Sequence, residues 1–405
     1  METPRYLEFP IRKDCLGDHK MAFISGPRQV GKTTMALHLA KKFSSHLYCN
    51  WDDFDFRKKW AKSPSRIMSS LSEKGCLILD EIHKAPHWKN AIKGLYDLHH
   101  KQNYIIVTGS AKLDTYKRGG DSLMGRYFHF RLHPYSLGEL HSPQKIKTPH
   151  SLKVFLKNPN VHSEKNLINL QQNLIRYSGF PQPYGKQTTR HLLMWQKSRL
   201  DQIVHEDLRD LTRIQELSQI DLLIALLPER VGSLLSLKSL AEDLEVSQPT
   251  IKTWLGQLEK VFFHYSIRPF SKNQARAIKK TPKIYLWDWS LLKNQGKLLE
   301  NFTSSHLLKA IDYWNQLGYG NFSLHYYQDK EKREVDFILN KDNMPWLALE
   351  VKNSELEPAS NLKYFIKKWP SIIGVQLIEK PNFYRYYKNE RIHVISMANF
   401  LAELP

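Results

Sequence analysis

Cysteine is nearly missing from this chain: Cys15, Cys49 and Cys76 are the whole supply. Three is an odd number, and their spacing suits no metal, so a disulfide framework and a zinc site are excluded. That usage fits a reducing, cytoplasmic setting. No apolar run approaches the length of about 18 residues that a membrane span needs. Met1 to Asp14 carries charges throughout and lacks an apolar centre, so it does not read as a signal peptide. Internal repeats and long low-complexity segments are missing too. Acidic residues are in short supply, 40 against 60 Lys and Arg, leaving a formal charge of +20. Such an excess points to a polyanionic partner, DNA before an anionic membrane. The 405 residues, 41% of them hydrophobic, suffice for two to four domains with real cores.

The chain is organised around Gly26–Thr33. An apolar run, Met21 to Ser25, reads as a buried strand, and Met35 to Phe43 reads as a helix. Between them Gly26-Pro27-Arg28-Gln29-Val30-Gly31-Lys32-Thr33 fits G-x-x-x-x-G-K-[ST] in the context that gives this loop its meaning. Backbone N–H groups of Gly26 to Thr34, with the helix N-terminus, would hold phosphate oxygens. Lys32 would reach the β and γ phosphates, and Thr33 would offer its hydroxyl to Mg²⁺. ATP and Mg²⁺ are the ligands expected.

Cys76-Leu77-Ile78-Leu79 reads as a second buried strand that delivers Asp80 and Glu81 at its carboxyl end, where open α/β sheets bind ligands. Asp80 would hold Mg²⁺ through water, and Glu81 would polarise the attacking water. His46 to Trp51 reads as a further strand, followed by Asp52, Asp53 and Asp55, which suit capping of the next helix. Tyr104 to Val107 reads as another strand, with Thr108 and Ser110 after it. Arg126 stands just before the alternating strand Tyr127–Leu132 and is a candidate arginine finger.

In the middle of the chain, Leu237–Leu244, a turn at Glu245-Val246-Ser247, and Gln248–Glu259 have helix-turn-helix spacing, with Ser247 as N-cap. Gln248, Thr250, Lys252 and Thr253 fall on the face that would enter a major groove. A basic run follows, holding Lys272, Arg276, Lys279, Lys280 and Lys283, and is expected to contact nucleic acid. Further on, Asp336 is followed by thirteen residues and then Glu350-Val351-Lys352. Alternation sets Glu350 and Lys352 on one strand face. Two carboxylates can bind Mg²⁺, and a lysine with the metal can activate water against a phosphodiester. Glu300 is a candidate third acid.

Gly26–Thr34, Leu77–Lys84, Thr108–Ser110 and Leu123–Leu140, with Tyr177-Ser178-Gly179-Phe180-Pro181 and Leu299-Glu300-Asn301-Phe302, together resemble a prokaryotic AAA-type ATPase family. Its members join an archaeal-ATPase-like P-loop domain to a C-terminal DUF4143, restriction-endonuclease-like domain. The resemblance implies an α/β fold: an AAA-type parallel-sheet domain at 1–140, a linker and helical region at 141–215, a winged helix at 216–268 and a PD-(D/E)XK-like α/β domain at 269–405. It implies that Thr108 or Ser110 senses the γ-phosphate, and that Arg126 acts on a neighbouring copy, hence a homo-oligomer. The expected function is ATP hydrolysis coupled to remodelling of, or translocation on, DNA, branched or structured forms included. The alternatives are an ATP-gated metal-dependent nuclease and a regulatory ATPase switch that binds a protein partner.

Overall fold

The computed structural model describes residues 4–109, 113, 123–161, 165–208, 217–271 and 280–405. The chain divides into two compact units, Met1–His133 and Pro134–Pro405.

The first unit is built on five parallel strands, β1 (Met21–Ser25), β2 (His46–Asn50), β3 (Cys76–Asp80), β4 (Tyr104–Thr108) and β5 (Tyr127–Arg131), in the order β2-β3-β4-β1-β5. Every residue of β1 and β3 is buried, because helices cover both faces of a parallel sheet and leave no polar side. The edge strand β2 alternates instead. On one face Phe23, Leu77, Leu79, Ile105 and Val107 pack against Phe56, Trp60, Ile92 and Leu95. The chain leaves β1 for the far edge, returns through β3 and β4, then crosses to β5. The break in strand order falls beside β1, and the glycine loop follows β1. Asp53 caps the helix Phe54–Lys62, accepting from the N–H groups of Asp55 and Phe56. That is the capping expected of the acids after β2.

In the second unit the helices Lys165–Tyr177, Thr189–Gln202 and Leu217–Arg230 precede a pair, Leu237–Asp243 and Gln248–Lys260. Then comes an eight-stranded mixed sheet: β6 (His264–Pro269), β7 (Lys283–Leu286), β8 (Phe322–Gln328), β9 (Glu334–Lys341), β10 (Met344–Lys352), β11 (Ile373–Ile378), β12 (Tyr384–Tyr387) and β13 (Ile392–Ser396). Its order is β12-β13-β11-β10-β9-β8-β6-β7. The long helix Gln295–Gln316 precedes β8, and Ser360–Lys368 links β10 to its parallel neighbour β11.

Leu137–His141 is a helix of the second unit, so the division lies before residue 140. A boundary at 268/269 would cut β6, whose Arg268 and Pro269 pair with His325 and Tyr326 of β8. Shared strands make the middle and C-terminal segments one unit. At Tyr177–Pro181 a left-handed backbone is needed at position 178 (φ 73°), and serine supplies it. Its hydroxyl donates to Asp288 Oδ1 at 2.7 Å, which offsets the strain. The next glycine is obligatory, since a Cβ on Gly179 would stand 2.5 Å from the Trp289 ring.

Candidate functional site

The carboxyl ends of β1, β4 and β3 lie side by side, with Ile24 paired to Thr108 and Thr108 to Asp80. This places the glycine loop next to the acidic strand end. Gly26 has φ 143°, and a Cβ there would sit 2.4 Å from the Leu132 carbonyl. Gly31, at φ 95°, turns the loop into the helix Lys32–Ala40. Both demand glycine. Lys32 is buried, and its ammonium donates to the carbonyls of Gly26 (3.0 Å) and Pro27 (2.7 Å). The loop therefore holds the lysine at its own rim.

Three hydroxyls converge on Asp80. Thr33 donates to Oδ2 at 2.9 Å, Tyr48 to Oδ2 at 2.8 Å, and Thr108 to Oδ1 at 2.5 Å. Thr33 and Asp80 are hard oxygen donors side by side at the loop, and this donor set fits Mg²⁺. Thr108 is thus tied to the acid. Ser110, the other sensor candidate, lies outside the described residues. Tyr48 was not among the sequence candidates. Its signal was its place on β2, paired to Ile78 two residues before Asp80, but an aromatic on an edge strand ordinarily reads as packing. Burial pushes the Tyr48 hydroxyl up to about 12, and its bond to Asp80 adds to that.

Glu81 takes a left-handed backbone, φ 54°. Burial raises its carboxyl above the ordinary range, while Lys32 and Lys84 pull it back down. His83 Nε2 lies 3.5 Å and Lys84 Nζ 3.9 Å from Glu81 Oε2, and Lys84 also pairs with Asp52 at 2.9 Å. Arg126 is at the opposite end of the sheet, where its carbonyl accepts from Met21 N–H at the start of β1. About 13 Å of strand separates it from the loop end. Asp97 grips its guanidinium twice, at 2.7 and 3.1 Å.

In the second unit Gln248, Lys252 and Thr253 are exposed and Thr250 is half-buried. Ser247 caps their helix through Thr250 N–H. The basic run resolves differently from its expected reading. Residues 272–279, with Lys272, Arg276 and Lys279, lie outside the described residues, and Lys280 is exposed. Lys283 is 1% exposed and sits 2.5 Å from Glu334 Oε1, so it is no surface contact. Phe337 pairs with Leu349, which brings Asp336 beside Glu350. Val351 N–H donates to Asp336 Oδ2 at 2.8 Å, and Lys352 meets Glu350 Oε1 at 3.0 Å. Glu300 joins the group through Lys283 at 3.4 Å and Tyr285 at 2.7 Å. Asp336, Glu350 and Lys352, picked from spacing, do come together, with Glu300 beside them.

Among the described residues no helix is long and apolar enough to cross a membrane. Residues 18–141 match the family model described as an AAA domain. Residues 168–301 and 295–400 match two domains of unknown function, DUF8612 and DUF4143. An uncharacterised protein of Methanocaldococcus jannaschii is 25% identical over 366 residues, covering 82% of this chain and 75% of its own length. An uncharacterised Mycobacterium tuberculosis protein is 20% identical over 341 residues, covering 82% and 70%. Among solved structures, a Walker-type ATPase of Pyrococcus abyssi aligns over 72% of this chain and 95% of its own at 14% identity, with a TM-score of 0.43. The Aeropyrum pernix ORC1 protein in complex with DNA aligns over 75% and 93% at 13% identity, with a TM-score of 0.33. The five-stranded parallel sheet with its phosphate loop is a P-loop AAA fold, and a mixed-sheet domain follows it. The chain thus joins an AAA-type P-loop domain to a C-terminal DUF4143 domain.

Proposed function

We propose that this protein hydrolyses ATP with Mg²⁺ and couples turnover to remodelling or translocation of DNA. The observation that carries the reading is the bond from Thr33 to Asp80 beside a buried Lys32. Lys32 neutralises phosphate charge, Thr33 and Asp80 hold the cation's place, and Glu81 takes the water's proton. The raised carboxyl of Glu81 suits a base working near neutral pH. Arg126 is too far from its own loop to serve it, so its role is toward the nucleotide of a second copy, which implies an oligomer. Before that use it must leave Asp97.

DNA contact is assigned to the helix Gln248–Lys260, whose exposed Gln248, Lys252 and Thr253 carry donors suited to base edges and phosphates. A hairpin of β6 and β7 follows it, the order in which a winged helix is built. The net charge of +20 supports a polyanionic partner.

The test is steady-state ATP hydrolysis with single-stranded, duplex and four-way-junction DNA, with Lys32→Ala as control. Stimulation by one DNA form, left uncut, is the expected result. Rates flat across all DNAs would remove the DNA reading and favour a regulatory switch with a protein partner. Lys252→Ala should weaken DNA binding and lower the salt slope by about one unit.

A further inference from the structure

The spacing Asp336…Glu350-x-Lys352 implies a fold family that sets a divalent cation among its acids. The residues present here do not fit one. Lys283, the first residue of β7, points its ammonium into the group. It lies 2.5 Å from Glu334 Oε1 and 3.4 Å from Glu300 Oε1, with the Tyr326 ring 5.6 Å away. Its side chain is 1% exposed, so water cannot substitute for these partners. We infer that the Lys283 ammonium is a built-in counter-ion for this acidic cluster, standing in for a divalent cation, so the domain carries out no metal-dependent cutting.

Four of the carboxylate oxygens a cation would need are already engaged. Glu300 Oε1 accepts from Tyr285 and faces Lys283. Glu350 Oε1 is bound by Lys352, and Oε2 accepts from Asp336 N–H at 3.4 Å. Asp336 Oδ2 accepts from Val351 N–H. Mg²⁺ demands near-ideal octahedral oxygens at about 2.0–2.1 Å, and a fixed ammonium beside those oxygens opposes it. Among the described residues no three His, Cys, Asp or Glu side chains are grouped to hold a metal. The charges point the same way. For Lys283, burial lowers its pKa, but Glu300, Asp336 and Glu334 together outweigh that and raise it, so it keeps its proton.

The inference does not depend on the ATPase reading. It is tested on the nucleotide-free full chain by counting bound Mn²⁺ from the electron-spin resonance of free Mn²⁺. Wild type and Asp336→Asn should bind equal numbers. Lys283→Gln should bind one more, and Lys283→Gln with Asp336→Asn should lose it again. An extra Mn²⁺ in wild type over Asp336→Asn would overturn the inference. So would a cooperatively melting Lys283→Gln with no added Mn²⁺, or Mg²⁺-dependent DNA cutting by wild type that Asp336→Asn abolishes. If Lys283→Gln does not fold, the wild-type and Asp336→Asn pair decides alone, equal counts supporting and unequal counts overturning.

Discussion

Asp80 and Asp336 are both strand carboxylates drawn in from water, but they keep different company. Asp80 is met by hydroxyls from Thr33, Tyr48 and Thr108. Asp336 lies in a group answered by the ammonium groups of Lys283 and Lys352. A hydroxyl can turn, and can offer a lone pair as readily as a proton. Its partner acid can therefore be handed over to a cation. An ammonium only donates, and it brings a full positive charge. Two acidic sites of one chain thus differ in their partners: the first is held by neutral hydroxyls, the second lies among ammonium groups.

The widest separation of the two should come from their lysines. Lys32→Ala should cut ATP turnover by about 100-fold or more with little change in melting temperature, because it removes charge stabilisation at a loop that folds through its glycines. Steady-state hydrolysis and calorimetry on the same sample check this. Lys283→Gln should do the reverse, destabilising the second unit by roughly 3 kcal/mol, since it leaves Glu334 and Glu300 without their buried partner. Denaturant unfolding reads that loss. If both variants fold equally well and both lose turnover, the distinction collapses.

A smaller effect follows from pH. The Asp336 carboxyl is raised, so above about pH 4 the unfolded chain ionises there while the folded chain still holds the proton. The stability this contributes is whole below that pH and drains away as pH rises toward the folded value. Asp336→Asn has no such drain. It should melt about 2–4 °C above wild type at pH 8, for about 1 kcal/mol, and the gap should close toward pH 4. Scanning calorimetry at the two pH values would sharpen the contrast, and a variant less stable at pH 8 would count against it. The smallest effect belongs to Tyr48→Phe. It removes one donor from Asp80, so the Mg²⁺ giving half-maximal turnover should fall by at most about fivefold, the worth of one hydrogen bond. An unchanged or higher Mg²⁺ requirement would mean that Tyr48 does not compete for Asp80.

The nucleotide site was legible because its parts are local. Gly26 to Thr33 is one continuous loop, and Asp80 closes a run of buried residues that only a central strand explains. Tyr48 was not legible, because its meaning comes from β2 pairing with β3, and edge pairing leaves no mark in the run of residues. Glu350 and Lys352 could be placed on one face by alternation. Lys283 misled for the opposite reason. It stands in a run of basic residues that look alike, and only the β6–β7 pairing turns its side chain inward. The place of β6 was hidden for the same cause, since its neighbouring strand β8 begins only at Phe322.

That late pairing sets an order of events on the ribosome. The first unit closes its sheet within the first 133 residues and can fold while the rest is being made. The helix pair at 237–260 comes early in its own unit, but the strands after it wait for β8 and β9. Until Glu300 and Glu334 emerge, Lys283 has no counter-charge, and β6 and β7 lack their β8 neighbour. Nascent chains stalled between residues 290 and 320 should therefore be open to chaperones and proteases in this stretch, and synthesis past β9 should close it at a stroke.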